Sequence, residues 1–295
     1  MGVEVLVKAP AKLNLHLGIH PGRDARGYHR ADSLMVAVSL FDEVRVRACE
    51  AGMGLSLSLS EDVGVPVEKN TAWIATKRLC EAFGRPEDYA IDVRKAIPAQ
   101  SGLGGSSSDG ASVILGLCHL WGVDADDPRV AAVARSVGAD VPFFLQPRPS
   151  LLAGAGDVLA RTLPELVGLP LVLVRPPEGV STPAAYRAFD DVPTDPRAPE
   201  AMCRAIEQGD AGAIAAALYN NLAPAAMRLV PACADAVAWL KAQPGVLGAQ
   251  VTGSGSCAFG VCASADAAAE ASAREQHGDW WTFSCETVGL GSQFC

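Results

Sequence analysis

The chain of 295 residues contains no G-x-x-x-x-G-K-[ST] sequence and not one Gly-Lys pair, which excludes the P-loop nucleoside triphosphatases. G-x-S-x-G is missing as well, and with it the usual nucleophile elbow of serine hydrolases. Basic residues are scarce: 24 Lys and Arg against 33 Asp and Glu leave a net charge of −9. That is the wrong sign for a protein that holds nucleic acid by displacing counterions. No apolar run approaches the roughly 20 residues that span a bilayer, and the opening "MGVEVLVKAP" lacks the order of a secretory signal. A cytoplasmic protein with neither nucleic-acid nor membrane partners is expected. The nine cysteines are odd in number and include no C-x-x-C, so a disulfide or metal framework is not indicated. Cys80, Cys118, Cys203 and Cys233 lie in apolar helical patterns, where Cys serves as a small core residue.

What is present is apolar and glycine-rich. Hydrophobic residues make up 49% of the chain and charged residues 19%, the balance of a folded protein whose length exceeds the usual size of one compact core, so that two lobes or one large domain are expected. Strand-like and helical runs alternate. "VEVLVKAPAKLNLHLGI" has period-two patterning, and "NTAWIATKRLCEAF" has helical spacing behind an Asn70/Thr71 cap. "YAIDVRK" reads as a strand, and Asp127 with Pro128 opens another helix. Composition loosens between Ala153 and Gly156, which sets an expected boundary between residues 1–155 and 156–295. Beyond it come the strand "LPLVLVRPPEG", several Ala-rich helices, "GAQVTGSGSCAFGVC" and "WWTFSCETVG".

Two glycine clusters stand out. The first, in "AIPAQSGLGGSSSDGASVILGL", is a proline-broken loop that runs straight into an apolar helix. Glycines bring bare backbone N–H groups close to a ligand, and a helix starting in the loop adds the positive end of its dipole. Together they make a phosphate cradle. The second, "GSGSCA", fits a dinucleotide pattern by its letters, but that fingerprint requires a helix directly afterwards. Ala258, Phe259, Gly260 and Val261 look like a strand instead, so this cluster reads as a hairpin turn. His16 and His20 share a strand face and could suggest a metal together with His29, yet no acid or Cys completes a ligand set.

The segments "PAKLNLHLGI", "GYH", "IPAQSGLGGSSSD", "GADVPFF", "GVSTPAAY" and "VTGSGSCAF", in this order, resemble the GHMP kinase superfamily. The branch most similar takes a cytidine-diphosphate sugar alcohol as acceptor and supplies isoprenoid precursors. The resemblance implies an α+β fold of two domains, the first like ribosomal protein S5 and the second ferredoxin-like. It implies ATP as co-substrate, Mg2+ through ligands not identifiable in the sequence, and a monomer or weak homodimer. Carried over by position, Pro98, Gln100, Ser101, Gly102, Leu103, Gly104, Gly105, Ser106, Ser107 and Ser108 would hold ATP. Lys12 and Asp140 match the catalytic lysine and aspartate. Asp140 would accept the hydroxyl proton, and Lys12 would keep that carboxylate charged and orient the nucleophile. Asn14, Tyr28, His29, Asp140, Tyr186, Gly253, Ser254 and Gly255 would bind the acceptor, with an aromatic face stacked on cytosine and His29 at the base edge. The family usually has glycines where this chain carries Gln100 and Ser101, and often another in place of Ser106. Two alternatives stay open: a GHMP kinase with a mevalonate- or homoserine-type acceptor, and a noncatalytic nucleotide-binding relative.

Overall fold

The computed structural model describes residues 3–25, 27–274, 278–291 and 293. Its first half is built on a long antiparallel pair, β1 (Glu4–Ile19) and β2 (Ala31–Ala48). The pairing is irregular between Pro10 and Ala11, the kind of break at which a strand tolerates proline. That break is also where β1 passes from one core to another: Ala9 belongs to the first, whereas Ala11, Leu13 and Leu15 belong to the second. From Ala9 to Ile19 every residue of β1 is buried. The expected one-sided alternation therefore does not describe this stretch, because both faces of the strand are covered.

Outside β2 lie β4 (Tyr89–Arg94) and then the parallel edge strand β3 (Ser56–Leu59). Helices α1 (Thr71–Phe83), α2 (Gly105–Trp121), α3 (Pro128–Val137) and α4 (Val141–Leu145) supply the other side of the first core. Their starts follow from local chemistry. Asn70 caps α1 by accepting the Ala72 N–H at 2.9 Å, and Asp127 caps α3 with Pro128 at its first position. A hairpin of β5 (Ser150–Ala153) and β6 (Val158–Thr162) adds to β2.

In the second half β7 (Pro170–Arg175) leads through α5 (Thr182–Asp191), α6 (Glu200–Gln208) and α7 (Ala211–Ala217) to the short β8 (Tyr219–Asn220), which pairs with β1. Then follow α8 (Ala223–Leu229), α9 (Ala232–Lys241), β9 (Val246–Val251), β10 (Ala258–Cys262), α10 (Ala265–Ala273) and β11 (Trp281–Val288). β9 and β10 form the hairpin expected around the second glycine cluster. The sheet runs β3-β4-β2-β11-β7-β10-β9. β11 is its join: Trp281–Glu286 pair with β7, while Thr287 and Val288 pair with Val38 and Ala37 of β2.

Cys80, Cys118, Cys203 and Cys233 are buried in helices, and the eight described cysteines are all free thiols. Among the described residues no helix is long and apolar enough to cross a membrane.

Candidate active site

The two glycine clusters, far apart in sequence, pack backbone on backbone. A Cβ on Gly102 (φ +79°) would lie 2.4 Å from the Thr252 carbonyl oxygen, and one on Gly104 (φ +77°) 2.9 Å from both Lys12 Cγ and Phe144 Cζ. Neither position has room for any other residue, and the left-handed φ is one that glycine alone adopts freely. Gly104 caps α2, so the helix starts directly against the lysine. The Lys12 N–H donates to the Leu103 carbonyl at 2.9 Å, fastening β1 to the loop.

Gln100 also has a positive φ, +53°, and is the one non-glycine among the described residues that does. The loop adopts here a conformation that favours glycine. Ser101 takes no such φ; its hydroxyl donates to the Pro98 carbonyl at 2.7 Å. The Ser106 and Thr71 hydroxyls meet at 2.5 Å, tying the first turn of α2 to α1.

A cavity of about 920 Å³ opens over this junction, within the range of small-molecule sites. Its floor is polar. Lys12 Nζ donates to Asn14 Oδ1 at 2.6 Å and lies 3.7 Å from Asp140 Oδ2. The Asn14 amide donates to Ser33 Oγ at 2.8 Å, which fixes its orientation. Lys12 is buried, whereas the Asp140 side chain is 34% exposed. The lysine is thus locked from behind and the carboxylate is left open to a ligand.

One end of the cavity is the glycine loop: Pro98, Gln100, Ser101, Gly102, Gly104, Gly105, Ser106 and Ser107 all line it. Leu103 and Ser108 do not, being fully buried behind it. Beneath the loop, Lys95 Nζ donates to Asp109 at 2.6 Å and also to Asp42, whose other oxygen accepts the N–H groups of Ala96 and Ile97. Burial, then the second carboxylate Asp42, pushes the Asp109 carboxyl up to about 7.

The other end is aromatic. Tyr28 stands 59% exposed at the rim, and Tyr186 on α5 lines the wall. Burial, then the Asp140 charge, pushes the Tyr186 phenol up to about 12, so it stays neutral. The His29 ring stacks on Tyr186, with centroids 5.5 Å apart and planes at 20°. Its two nitrogens face protein oxygens: Nδ1 is 3.1 Å from the His20 carbonyl and Nε2 2.9 Å from Asp190 Oδ1. Nδ1 is thus engaged, whereas Nε2, close to Asp190, makes no directed hydrogen bond. Gly253 and Ser254 line the cavity, the latter held by Thr182 at 2.8 Å between hydroxyls, whereas Gly255 packs behind them against Gly102. The three histidines do not converge: His20 pairs with Asp32 at 2.6 Å, and the His16 ring lies tilted at 32° to that of Tyr219, with centroids 5.1 Å apart.

Sequence reasoning missed Arg23, Lys95, Asp109, Thr182 and Arg187, all on the cavity wall. Lys95 and Asp109 flank the glycine loop and had that proximity as a signal. Arg23 and Arg187 had none, since an isolated arginine in a polar stretch reads as a solvated charge.

Comparison with known proteins agrees with this arrangement. Residues 70–147 match the family model for the GHMP kinases N terminal domain and residues 202–275 that for GHMP kinases C terminal. A 4-diphosphocytidyl-2-C-methyl-D-erythritol kinase from Pelotomaculum thermopropionicum is 37% identical over 92% of this chain and 93% of its own. A crystal structure of 4-(cytidine 5'-diphospho)-2C-methyl-D-erythritol kinase superposes with a TM-score of 0.77 at 32% identity, covering 97% of this chain and all of that one. Homoserine kinase from Cytophaga hutchinsonii shares the fold, with a TM-score of 0.75 at 21% identity over 97% and 95% of the two chains. With glycine loop, lysine, aspartate and aromatic wall gathered on one cavity, the chain belongs to the 4-diphosphocytidyl-2-C-methyl-D-erythritol kinases of the GHMP kinase family.

Proposed function

We propose that this protein transfers the γ-phosphoryl group of ATP to the 2-hydroxyl of 4-diphosphocytidyl-2-C-methyl-D-erythritol, in isoprenoid precursor biosynthesis. The observation that carries this reading is the position of Lys12 and Asp140 in one cavity between the glycine loop and an aromatic wall. Phosphoryl transfer needs donor and acceptor held in line, negative charge offset, and a base for the acceptor proton. Asp140, open to the cavity, takes that proton. Lys12, fixed by Asn14, orients the carboxylate and offsets charge on the acceptor oxygen. The free N–H groups at the start of α2 receive the triphosphate, while Tyr28 and Tyr186 offer ring faces to the base.

Among the described residues no three His, Cys, Asp or Glu side chains gather as a metal site. This donor set suits a Mg2+ ion that arrives on the nucleotide, because magnesium keeps waters and needs only one or two protein oxygens beside phosphate. The cavity-lining hydroxyls of Ser106 and Ser107 are the oxygens that would hold it. Bound there, it would neutralise charge on the transferring phosphoryl group.

The test is a kinase assay offering the cytidine compound, mevalonate, homoserine and galactose in parallel. Turnover of the first, abolished by excess chelator, is the expected result; failure to turn it over removes the function. Asp140→Asn keeps the size and loses the basic oxygen, so kcat falls on the order of a hundredfold or more while nucleotide binding stays near normal. Lys12→Met also lowers kcat. An Asp140→Asn enzyme retaining most of its kcat, with chemistry rate-limiting, overturns the assignment of the base.

A further inference from the structure

We propose that Asp190 is a positioning residue for acceptor recognition, clamping the rim loop that carries Tyr28 and His29 onto the helix that carries Tyr186; this rests on the reading of the aromatic end as the cytidine subsite. Asp190 lies in the last turn of α5, four residues after Tyr186 and so on the same side of the helix. Its two oxygens are divided between two residues of the loop. Oδ1 is 2.9 Å from His29 Nε2, and Oδ2 accepts from the Arg23 guanidinium. Arg23 in turn donates to the Gly27 carbonyl at 3.2 Å, next to Tyr28. One carboxylate thus ties both ends of the segment between residues 23 and 29 to α5. His29 is held on its other edge by the His20 carbonyl, and its face lies on Tyr186.

Helix stability does not explain the placement. A carboxylate in the last turn opposes the macrodipole, whose negative end is there, and the pair with Arg23 is 46% and 38% exposed, a geometry worth little to the fold. What the contact does is remove freedom from a rim loop that must present a flat aromatic face. Holding such a loop in its binding geometry improves affinity by lowering the ordering cost of association.

Asp190→Ala, Asp190→Glu, Arg23→Ala and the Arg23→Ala/Asp190→Ala pair test this, read by steady-state kinetics, calorimetric titration with cytidine 5'-diphosphate, and thermal melting. The expected result for Asp190→Ala is a rise of about fivefold in KM for the acceptor and a matching loss of affinity for cytidine 5'-diphosphate. kcat, KM for ATP and the melting temperature stay unchanged. Asp190→Glu restores most of the loss, and the double variant is no worse than Asp190→Ala alone, because both substitutions break the same clamp. An Asp190→Ala enzyme with unchanged or lowered acceptor KM, or one in which kcat and KM for ATP shift equally, overturns the proposal. If the parent enzyme itself binds no cytidine 5'-diphosphate, the cytidine reading fails and takes the clamp with it; parent binding with no effect at Asp190 refutes the clamp alone.

Discussion

At Gln100 a glutamine occupies backbone space that suits glycine. Its φ of +53° costs on the order of 1 kcal/mol for a residue with a Cβ. The position is held because its carbonyl accepts the N–H groups of Val180 and Ser256 and its side chain packs on Gly179. Gln100→Gly is therefore expected to raise stability by up to about 1 kcal/mol, and Gln100→Val to lower it by more than that, since a branched side chain resists positive φ. Denaturant melts of the two variants check this. A second residue-scale expectation concerns Asp109. Its carboxyl is raised to about 7 by burial and by Asp42 sharing the same lysine, and its Oδ1 finds no hydrogen-bond partner. An acid raised on folding lends stability that is complete at low pH and lost as pH climbs through the folded value. Stability measured between about pH 4 and pH 8 should fall less steeply in Asp109→Asn than in the parent.

At the scale of elements, the glycine loop depends on neighbours that aim it. Asn70 both caps α1 and lines the cavity, and α1 packs along α2 through the Thr71 and Ser106 contact. Asn70→Ala should cost about 1 kcal/mol in a thermal or denaturant melt, with Asn70→Asp close to the parent. Such starts were legible in the sequence because caps are local: Asn70 and Asp127 announce α1 and α3 within a few residues. The glycine loop, Lys12 and Asp140 were legible for the same reason, each sitting in a short motif. Strand pairing was not. β1 is buried on both faces, so alternation could not say which side carries Lys12, and the β5–β6 hairpin and β8 are too short to stand out. Gly255, Leu103 and Ser108 sit inside the motifs yet turn away from the cavity, because a motif gives proximity along the chain and not direction in space. Arg23 and Asp190 meet across 167 positions and carry no signal that either would predict of the other.

At the scale of the molecule, the two halves share strands. β1 and β2 supply residues to three cores, and β11 lies between β2 and β7 in the same sheet. The stretches 70–147 and 202–275 that match the family models each omit all three of those strands. Expressed alone, neither is expected to give a cooperative melt, whereas the whole chain gives one; a sharp transition in either piece would show that the shared strands are dispensable.

The join at β11 bears on synthesis as well. The Glu286 N–H donates to Ser39 Oγ at 3.0 Å, and the two residues are 247 positions apart. A ribosome making the chain extrudes β2 long before β11, so the edge of β2 that β11 will cover, around Ala37 to Ser39, waits unpaired while the 247 positions up to Glu286 are translated. An open edge of that kind invites pairing with other nascent chains. This protein should thus lean on chaperones that shield extended segments until β11 has emerged.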